Sequence, residues 1–380
     1  MKILILTYEY PPVGGGAGIV CQHLVHQWKG NGHEILVLTS GYGSNLGISR
    51  DGNTEIIRLD TKRGSLHQAN PIQMLRWAWK AISYIHAMNR DFDVALANFI
   101  LPGGIPATWL KSTKKIPFVV LTHGHDIPGA AANQMIVYHL LLQRILCGIC
   151  RKASAIIVLN KSLEKLLSDW DPSLVKKVKV IPNGLEDCQI DKPVLKDDHL
   201  KILWAGRLVH QKRPQLLIKI LSNLKFPFEA HLYGDGPLRK EIEKAVSKSS
   251  NKDSINIHGH VDREILHEAM LNSHVLVHTS KFEAMSLVQL EAFSRCLFVI
   301  TSPVNGTEYW LKEGISGNSI DSNYLEDWIQ ALELINKNKH VNTGSSLNKN
   351  VESIQQNIAW EIQAKKYIEL FQAVVTRNRI

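Results

Sequence analysis

The sequence predicts an α/β protein made of two similar Rossmann-like domains, each with a parallel β-sheet. Two observations lead to this fold class. Short apolar, β-branched runs alternate with helix-length segments along the chain, and this alternation breaks off over residues 184–200 and then starts again. A length of 380 residues also suits two domains better than one core.

The first half contains a series of candidate strands. Each is a nearly continuous hydrophobic run, as expected for a strand buried on both faces of a parallel sheet. In chain order they are KILILT, HEILVLT, TEIIRL, DVALAN, PFVVLTH, AIIVLN and VKVIP. Because helix-length segments separate them, right-handed βαβ units are expected, and residues 1–183 form the predicted first domain.

The second half repeats the pattern over residues 201–360, with the candidate strands KILWAGR, EAHLYGDG, INIHGH, HVLVHTS, CLFVIT and GNSI. Residues 184–200 are polar, contain Pro193 and show no sustained period, which is typical of a linker. Apolar residues at helical spacing in IAWEIQAKKYIELFQAVV predict a terminal helix over 361–380. A cleft between two such domains is a natural ligand site.

Composition narrows the partners and the compartment. A net charge of +9 favours an acidic partner, whether nucleic acid, an anionic membrane or a phosphorylated small molecule. The five cysteines show no disulfide framework, and the N-terminus MKILILTYEYPP resembles a buried strand rather than a signal peptide. We therefore expect a cytoplasmic protein. No apolar run reaches the roughly 20 residues of a membrane-spanning helix.

A glycine-rich loop, PPVGGGAGIV, follows the first candidate strand and leads into a helix. Glycines such as Gly15 and Gly16 let the backbone approach a ligand closely, and the helix N-terminus offers N–H groups to an anion, so a phosphate or sugar loop is predicted. A plain tight turn is the alternative. The glycine spacing does not match the dinucleotide fingerprint, and no P-loop motif occurs, which disfavours NAD and P-loop ATPases.

A histidine pair in VLTHGHDIPG follows another strand, where ligands gather in parallel α/β sheets. His123 is therefore a candidate site residue, with a structural histidine as the alternative. His123, His125 and Asp126 could also be interpreted as metal ligands, but no second ligand cluster supports a metal.

The segment HTSKFEAMSLVQLEAFSRC carries the most informative pattern. Glu283 follows a strand, and Glu291 comes eight residues later on a predicted amphipathic helix that begins near Ser286. Eight helical residues span about 12 Å, the length of a nucleotide sugar. The helix N-terminus would bind a diphosphate, and the two carboxylates would accept hydrogen bonds from sugar and ribose hydroxyls. Two solvated glutamates flanking a helix start are the alternative.

Two cations, Arg207 and Lys212, lie in AGRLVHQKRP after the first strand of the second half. At the carboxyl end of a strand they could neutralise the charge that grows on a departing diphosphate, in place of magnesium. The alternative is that both are isolated basic residues on the surface without a role in ligand binding.

Taken in order, PPVGGGAG, LTHGHD, VKVIPNG, AGRLVHQK, LYGDGP and FEAMSLVQLE resemble glycosyltransferase family 4 over nearly the whole chain. The resemblance implies the GT-B fold, with two domains facing each other across a deep cleft and a C-terminal helix crossing back to the first domain. It also implies retaining, metal-independent transfer of a hexose from a UDP- or GDP-sugar to a saccharide or lipid-linked acceptor, in surface polysaccharide or glycolipid biosynthesis.

The resemblance assigns roles residue by residue. His123 would lie beside the transferring sugar, and Arg207 and Lys212 would clamp the diphosphate. Glu283 would bind sugar hydroxyls and Glu291 the ribose. Gly15 and Gly16 would form the loop that contacts the phosphate and sugar of the donor. Ser286 and Leu287 would supply backbone N–H groups to the phosphates.

This chain departs from the family at two positions. Members commonly have glycine where this sequence has Ala284 and Ser286. The extra Cβ atoms narrow the space for the donor, so the sugar preference is expected to differ from that of the commonest members.

Two other functions stay open at this stage. A nucleotide-sugar epimerase of the same fold would need the same donor clamp but no acceptor. A basic nucleic-acid-binding protein fits the charge, but no stacking-aromatic signature or binding module supports nucleic acid as a partner.

An anionic membrane surface is a further expected contact. Residues 71–90 combine Trp77, Trp79 and Tyr84 with the basic residues Arg76, Lys80 and Arg90, and Lys111, Lys114 and Lys115 follow. A helix packed against the sheet is the alternative.

Overall fold

The structure is a computed structural model that describes residues 1–66, 69–88, 90–130, 136–186, 195, 198–312, 316–321, 324–338 and 345–379. The chain divides into two compact units, Met1–Gly184 with Trp360–Ile380, and Leu185–Ala359. Most of the predicted linker, residues 187–194 and 196–197, lies outside the described residues.

The first unit is built on an eight-stranded sheet. Its strands are β1 (Lys2–Leu6), β2 (Glu34–Gly41), β3 (Gly47–Asp51), β4 (Thr54–Asp60), β5 (Val94–Asn98), β6 (Phe118–Leu121), β7 (Ala155–Val158) and β8 (Val178–Val180). Their order is β3-β4-β2-β1-β5-β6-β7-β8, and every neighbouring pair is parallel except β3 with β4.

Strand β3 was not predicted from the sequence, and it adds an antiparallel pair at one edge of the predicted parallel sheet. The strand has the sequence GISRD and is exposed along its whole length. Among the described strands it pairs only with β4, at the edge of the sheet, and it buries no apolar run, so it lacks the signal by which the other strands were found.

The α-helices that the structure describes between these strands are α1 (Gly16–Gly30), α2 (Pro71–Ala87), α3 (Gly104–Lys114), α4 (Ile136–Lys152) and α5 (Lys161–Trp170). Local sequence fixes where two of them begin. Asn70 and Gln73 form a capping box around the first turn of α2, with Pro71 at its first position, and the Asn160 side chain caps α5.

The second unit contains a six-stranded, wholly parallel sheet. Its strands are β9 (Leu200–Ala205), β10 (Phe228–Tyr233), β11 (Ile255–Gly259), β12 (Val275–His278), β13 (Phe298–Thr301) and β14 (Gly317–Ser319), in the order β11-β10-β9-β12-β13-β14. Its helices are α6 (Pro214–Asn223), α7 (Arg239–Ser247), α8 (Arg263–Leu271), α9 (Leu287–Ser294), α10 (Leu325–Asn338) and α11 (Ser345–Ile358). Trp204, Phe298 and Trp328 belong to the hydrophobic core between this sheet and its helices.

Helix α9 differs from its prediction. The sequence predicts an amphipathic helix, but its residues from Gln289 to Ser294 are all buried. The helix contacts β12 and β13 on the sheet and also α8, so most of its surface is covered. A helix enclosed in this way carries its polar side chains inside the unit, where each needs a partner.

The chain returns to the first unit in α12 (Trp360–Arg379), which packs on α1. The Trp28 side chain of α1 donates a hydrogen bond from Nε1 to the carbonyl oxygen of Ala364, 3.1 Å away. Its ring also contacts Tyr367 and Phe371, and all three aromatic side chains are buried. The last helix is therefore part of the core of the first unit.

None of the helices in the described part of the chain is both long enough and apolar enough to span a membrane.

Phe371→Ala should lower the free energy of unfolding of the first unit by about 3–5 kcal/mol, because it leaves a cavity between α1 and α12. Denaturant unfolding followed by tryptophan fluorescence measures this loss. Glu369→Ala, at an exposed position of the same helix, is the matched control and should change stability little. Equal effects of the two substitutions would contradict the packing described for α12.

Candidate functional site

Two residues singled out from the sequence meet at the carboxyl edge of the second sheet. Lys212 lies in the loop after β9, and Glu283 lies in the loop after β12, the neighbouring strand. Lys212 Nζ is 2.5 Å from Glu283 Oε1, and their side chains are only 18% and 11% exposed. They form a largely buried ion pair at the edge where ligands of parallel α/β sheets gather.

Burial alone would raise the pKa of Glu283, but the charge of Lys212 and contact with His278 more than offset it and hold that pKa well below its usual range. Glu283 is therefore a carboxylate throughout the physiological pH range. Because Lys212 neutralises it locally, the pair can offer both a hydrogen-bond acceptor and N–H donors to one ligand.

A buried histidine that the sequence analysis missed supports this carboxylate. Gln289 donates from Nε2 to His278 Nδ1 at 2.8 Å, which assigns the proton of the neutral ring to Nε2. His278 Nε2 then lies 3.3 Å from Glu283 Oε1. Burial lowers the pKa of His278, in keeping with a neutral ring.

The two loops that carry the ion pair are joined by further hydrogen bonds. Thr279 Oγ1 donates to the carbonyl oxygen of Lys212 at 2.7 Å, and Arg213 Nε donates back to the carbonyl oxygen of Thr279 at 2.5 Å. Gln211 Nε2 donates to the carbonyl oxygen of Phe282 at 2.7 Å. The position of Lys212 relative to Glu283 is thus fixed by backbone contacts as well as by charge.

Arg207, the other cation of the predicted clamp, is exposed in the loop after β9. It therefore differs from Lys212, which is already engaged with Glu283. The clamp formed by Arg207 and Lys212 stays a prediction.

Helix α9 begins at Leu287, close to the predicted start, and Ser286 precedes it in extended conformation. Within the described residues no side chain caps this helix start, and the Ser286 hydroxyl instead lies 3.4 Å from His278 Nε2. The first-turn N–H groups, including that of Leu287, can accordingly donate to an anion.

Glu291 belongs to a second charged cluster, which the sequence analysis did not foresee. Arg263 donates to Glu291 Oε1 from Nε at 3.0 Å and from Nη2 at 2.6 Å, and also pairs with Glu186. Arg295 holds the other Glu186 oxygen at 3.1 Å. Burial raises the pKa of Glu291, although Arg263 opposes the shift. A ribose at Glu291 would have to share the carboxylate with Arg263.

The same cluster contains the one group of side chains in the described residues that could converge on a metal ion. Ligand atoms of Glu186, His267 and Glu291 lie within 4.8 Å of one another. The Arg263 guanidinium bridges the two carboxylates, and so already supplies a cation where a metal would need their oxygens. Metal-independent chemistry stays a prediction.

In the first unit, the glycine loop leads directly into α1, which begins at Gly16. The Gly15 N–H donates to Oε2 of Glu9 at 3.1 Å. Gly14, at φ +105°, has no room for a side chain, since a Cβ would come within 2.5 Å of Glu9 Cβ. A carboxylate at this helix start repels phosphate and accepts hydrogen bonds from hydroxyls, which favours a sugar over a phosphate here.

His123 follows β6 and is part of a hydrogen-bonded chain. Its Nε2 lies 2.5 Å from Asn98 Oδ1, and Asn98 Nδ2 donates to Thr7 Oγ1 at 2.9 Å. Since the Asn98 amide nitrogen is used on Thr7, its oxygen accepts from His123, which therefore carries its proton on Nε2. Burial and then the charge of His125 lower the pKa of His123 to about 3.

Asp126 supports the loop that follows β6. Its carboxylate accepts hydrogen bonds from the backbone N–H groups of His123 at 2.9 Å and Ile100 at 3.0 Å. Burial raises its pKa to about 6, against the effect of these backbone donors. The possible metal group of His123, His125 and Asp126 is not among the convergent groups of the described residues. Asn98 and Asp126 instead fix the position of His123.

His123 makes the stability of the first unit depend on pH. The unfolded ring takes up a proton near pH 6.5, and the folded ring does so only near pH 3, so falling pH favours unfolding. Between pH 7 and pH 5 wild type should lose up to about 2 kcal/mol more stability than His123→Gln, in which the Asp126 carboxyl is still present. Denaturant titrations of both proteins test this, and a parallel loss in the two would show that the ring protonates normally.

Comparison with known proteins identifies the family of the chain. Residues 14–187 match the model of Glycosyltransferase Family 4, and residues 187–354 match that of Glycosyl transferases group 1. An uncharacterized glycosyltransferase of Methanocaldococcus jannaschii is 24% identical over 83% of this chain and 84% of its own length.

Solved structures share the fold over nearly the whole chain. Sucrose-phosphate synthase from Thermosynechococcus elongatus superposes with a TM-score of 0.83 at 20% identity, covering 99% of each chain. HepE of Anabaena, in complex with UDP-glucose, superposes with a TM-score of 0.76 at 16% identity, covering 98% of this chain and all of that one. The protein is a glycosyltransferase of the GT-B type. Within that class, the chain belongs to glycosyltransferase family 4.

Proposed function

We propose that the chain is a retaining hexosyltransferase that uses a UDP- or GDP-sugar and no metal ion. The observation that carries this proposal is the buried Lys212–Glu283 pair beside the uncapped start of α9. This arrangement offers a cation and N–H donors to a diphosphate and a carboxylate to a sugar. The binding of UDP-glucose by a structural relative with the same fold supports the donor class.

In the proposed reaction the diphosphate leaves from the face on which the acceptor enters. The bond between the anomeric carbon and the phosphate oxygen breaks, the acceptor oxygen bonds to that carbon, and its proton passes to the leaving phosphate oxygen. Lys212, Arg207 and the N–H groups of Ser286 and Leu287 would stabilise the charge on the diphosphate. The protein then acts by positioning and electrostatics, without a covalent nucleophile.

The two glutamates have separate tasks in this proposal. Glu283 would accept hydrogen bonds from sugar hydroxyls, since Lys212 keeps it ionised, and Glu291 would bind the ribose beside Arg263. His123, with its proton held on Nε2, would contact the transferring sugar, with Gly15 and Gly16 nearby in the role that the family resemblance gives them. His123 is neutral, so it would act as a hydrogen-bonding group rather than as a cation.

The proposed acceptor is a saccharide or a lipid-linked saccharide, and the proposed pathway is the assembly of a surface polysaccharide or glycolipid. The carboxylate of Glu9 at the glycine loop fits a neutral, hydroxyl-rich ligand.

Lys212→Ala should reduce turnover by about a hundredfold to a thousandfold, because it removes a charge-stabilising donor and leaves Glu283 buried without its partner. Sugar-transfer assays on the purified protein measure this loss. Lys219→Ala, at an exposed position of α6, is the matched control and should keep full turnover. Unchanged turnover in Lys212→Ala would refute the proposed clamp.

Incubation of the protein with UDP- and GDP-hexoses, with and without EDTA, tests the reaction itself. NMR analysis should show a product with the donor's anomeric configuration, formed at the same rate when EDTA is present. An isomerised donor without any transfer would instead establish the epimerase, and loss of activity with EDTA would contradict metal independence.

A further inference from the structure

Helices α2, α3 and α4 form a neighbouring set in the first unit that exposes large apolar side chains. Both α2 and α4 contact α3. Lysines of α3 also connect the set: Lys114 Nζ donates to the carbonyl oxygen of Ile85 in α2 at 3.2 Å, and Lys111 Nζ donates to that of Lys152 in α4 at 2.8 Å. We call this set the α2–α4 face.

On α2, the exposed apolar residues form one stripe. Ile72, Leu75 and Trp79 follow i, i+3, i+7 spacing, and Trp79 is 71% exposed. Trp77, which the sequence analysis grouped with Trp79 as a surface contact, is buried and belongs to the core. The opposite side of the helix, which includes Ile85, is buried, so the stripe points away from the rest of the unit.

Helix α4 repeats this arrangement. Leu140, Leu141 and Ile145 are exposed, and Leu141 is 78% exposed. Leu146 and Cys150 occupy the buried side. Two helices that flank α3 thus each expose several large apolar side chains. Scattered single residues need no explanation, but a concentration of this kind marks an interaction surface.

The charges of the α2–α4 face are of one sign. The three helices contain no aspartate or glutamate, and their sequences are PIQMLRWAWKAISYIHA, GIPATWLKSTK and IVYHLLLQRILCGICRK. Arg76 and Lys80 flank Trp79, and Arg144 lies between Leu141 and Ile145, all three at exposed positions. Basic side chains beside exposed leucine, isoleucine and tryptophan suit the boundary between acyl chains and anionic headgroups.

We propose that the α2–α4 face docks on the surface of a membrane containing anionic lipids, with the apolar stripes inserted among the lipids and the basic residues on the headgroups. This inference is independent of the donor chemistry. The surface differs from the one expected from the sequence in two respects. It includes the exposed apolar residues of α4, and on α2 it contains Ile72 and Leu75 beside Trp79, whereas Trp77 is buried.

Flotation of the full-length protein with vesicles tests the proposal. We expect binding to phosphatidylcholine vesicles that contain phosphatidylglycerol, and much weaker binding to phosphatidylcholine alone. Arg76→Gln with Lys80→Gln should weaken binding to the anionic vesicles about 25-fold, at about fivefold per charge. The matched control, Lys240→Gln with Lys248→Gln at exposed positions of the second unit, should change it little.

The apolar stripes are tested separately. Trp79→Gln with Leu141→Gln should weaken binding to anionic vesicles on the order of tenfold or more, whereas Leu334→Gln, an exposed leucine of α10, should not. All of these positions are exposed, so circular dichroism should show an unchanged fold.

No binding to anionic vesicles, or equal binding by all variants, would overturn the proposal. So would a wild-type dimer in solution that Leu141→Gln converts to a monomer, because the face would then be a contact between copies of the chain.

Discussion

The site of the second unit depends on the buried ion pair between Lys212 and Glu283. Removing both charges from water is costly, and their attraction compensates only if the geometry is good and other hydrogen bonds satisfy the remaining atoms. Here His278 supplies the additional hydrogen bond to the carboxylate, and Thr279 and Arg213 hold the two loops together. Loss of either charge would leave the other largely buried without its counter-ion.

The polar side chains at the carboxyl edge of the sheet differ between the two units. The second unit gathers full charges, in the Lys212–Glu283 pair and in the Arg263 cluster. In the first unit, the neutral imidazole of His123 is hydrogen-bonded to Asn98, and the Asp126 carboxylate accepts hydrogen bonds from backbone N–H groups. A diphosphate suits the charged edge in the second unit, and sugar hydroxyls suit the edge in the first unit. The donor role is accordingly proposed for the second unit and the acceptor role for the first.

Much of the fold was predictable because many of the parallel strands, such as β6, β7 and β13, are continuous apolar runs that are buried along their whole length. The exposed strand β3 has no such run and was missed. Lys212 and Glu283 were found because both follow strands, so the parallel topology brings them to one edge. The hydrogen bonds of Arg263 to Glu291 and of the Gly15 N–H to Glu9 were not predicted, because no local sequence pattern identifies the donor that a given carboxylate accepts from. Trp77 and Trp79 are two residues apart and so lie on opposite sides of α2, but the sequence did not show which of these sides packs on the rest of the unit.

The proposed function requires the diphosphate sugar to bind at the Lys212–Glu283 pair and the start of α9. A crystal structure of the protein with its nucleotide sugar tests it most directly. We expect diphosphate oxygens within hydrogen-bonding distance of Lys212 Nζ and the Leu287 N–H, and sugar hydroxyls hydrogen-bonded to the Glu283 carboxylate. A nucleotide sugar bound elsewhere, with the ion pair unchanged and far from the diphosphate, would contradict it.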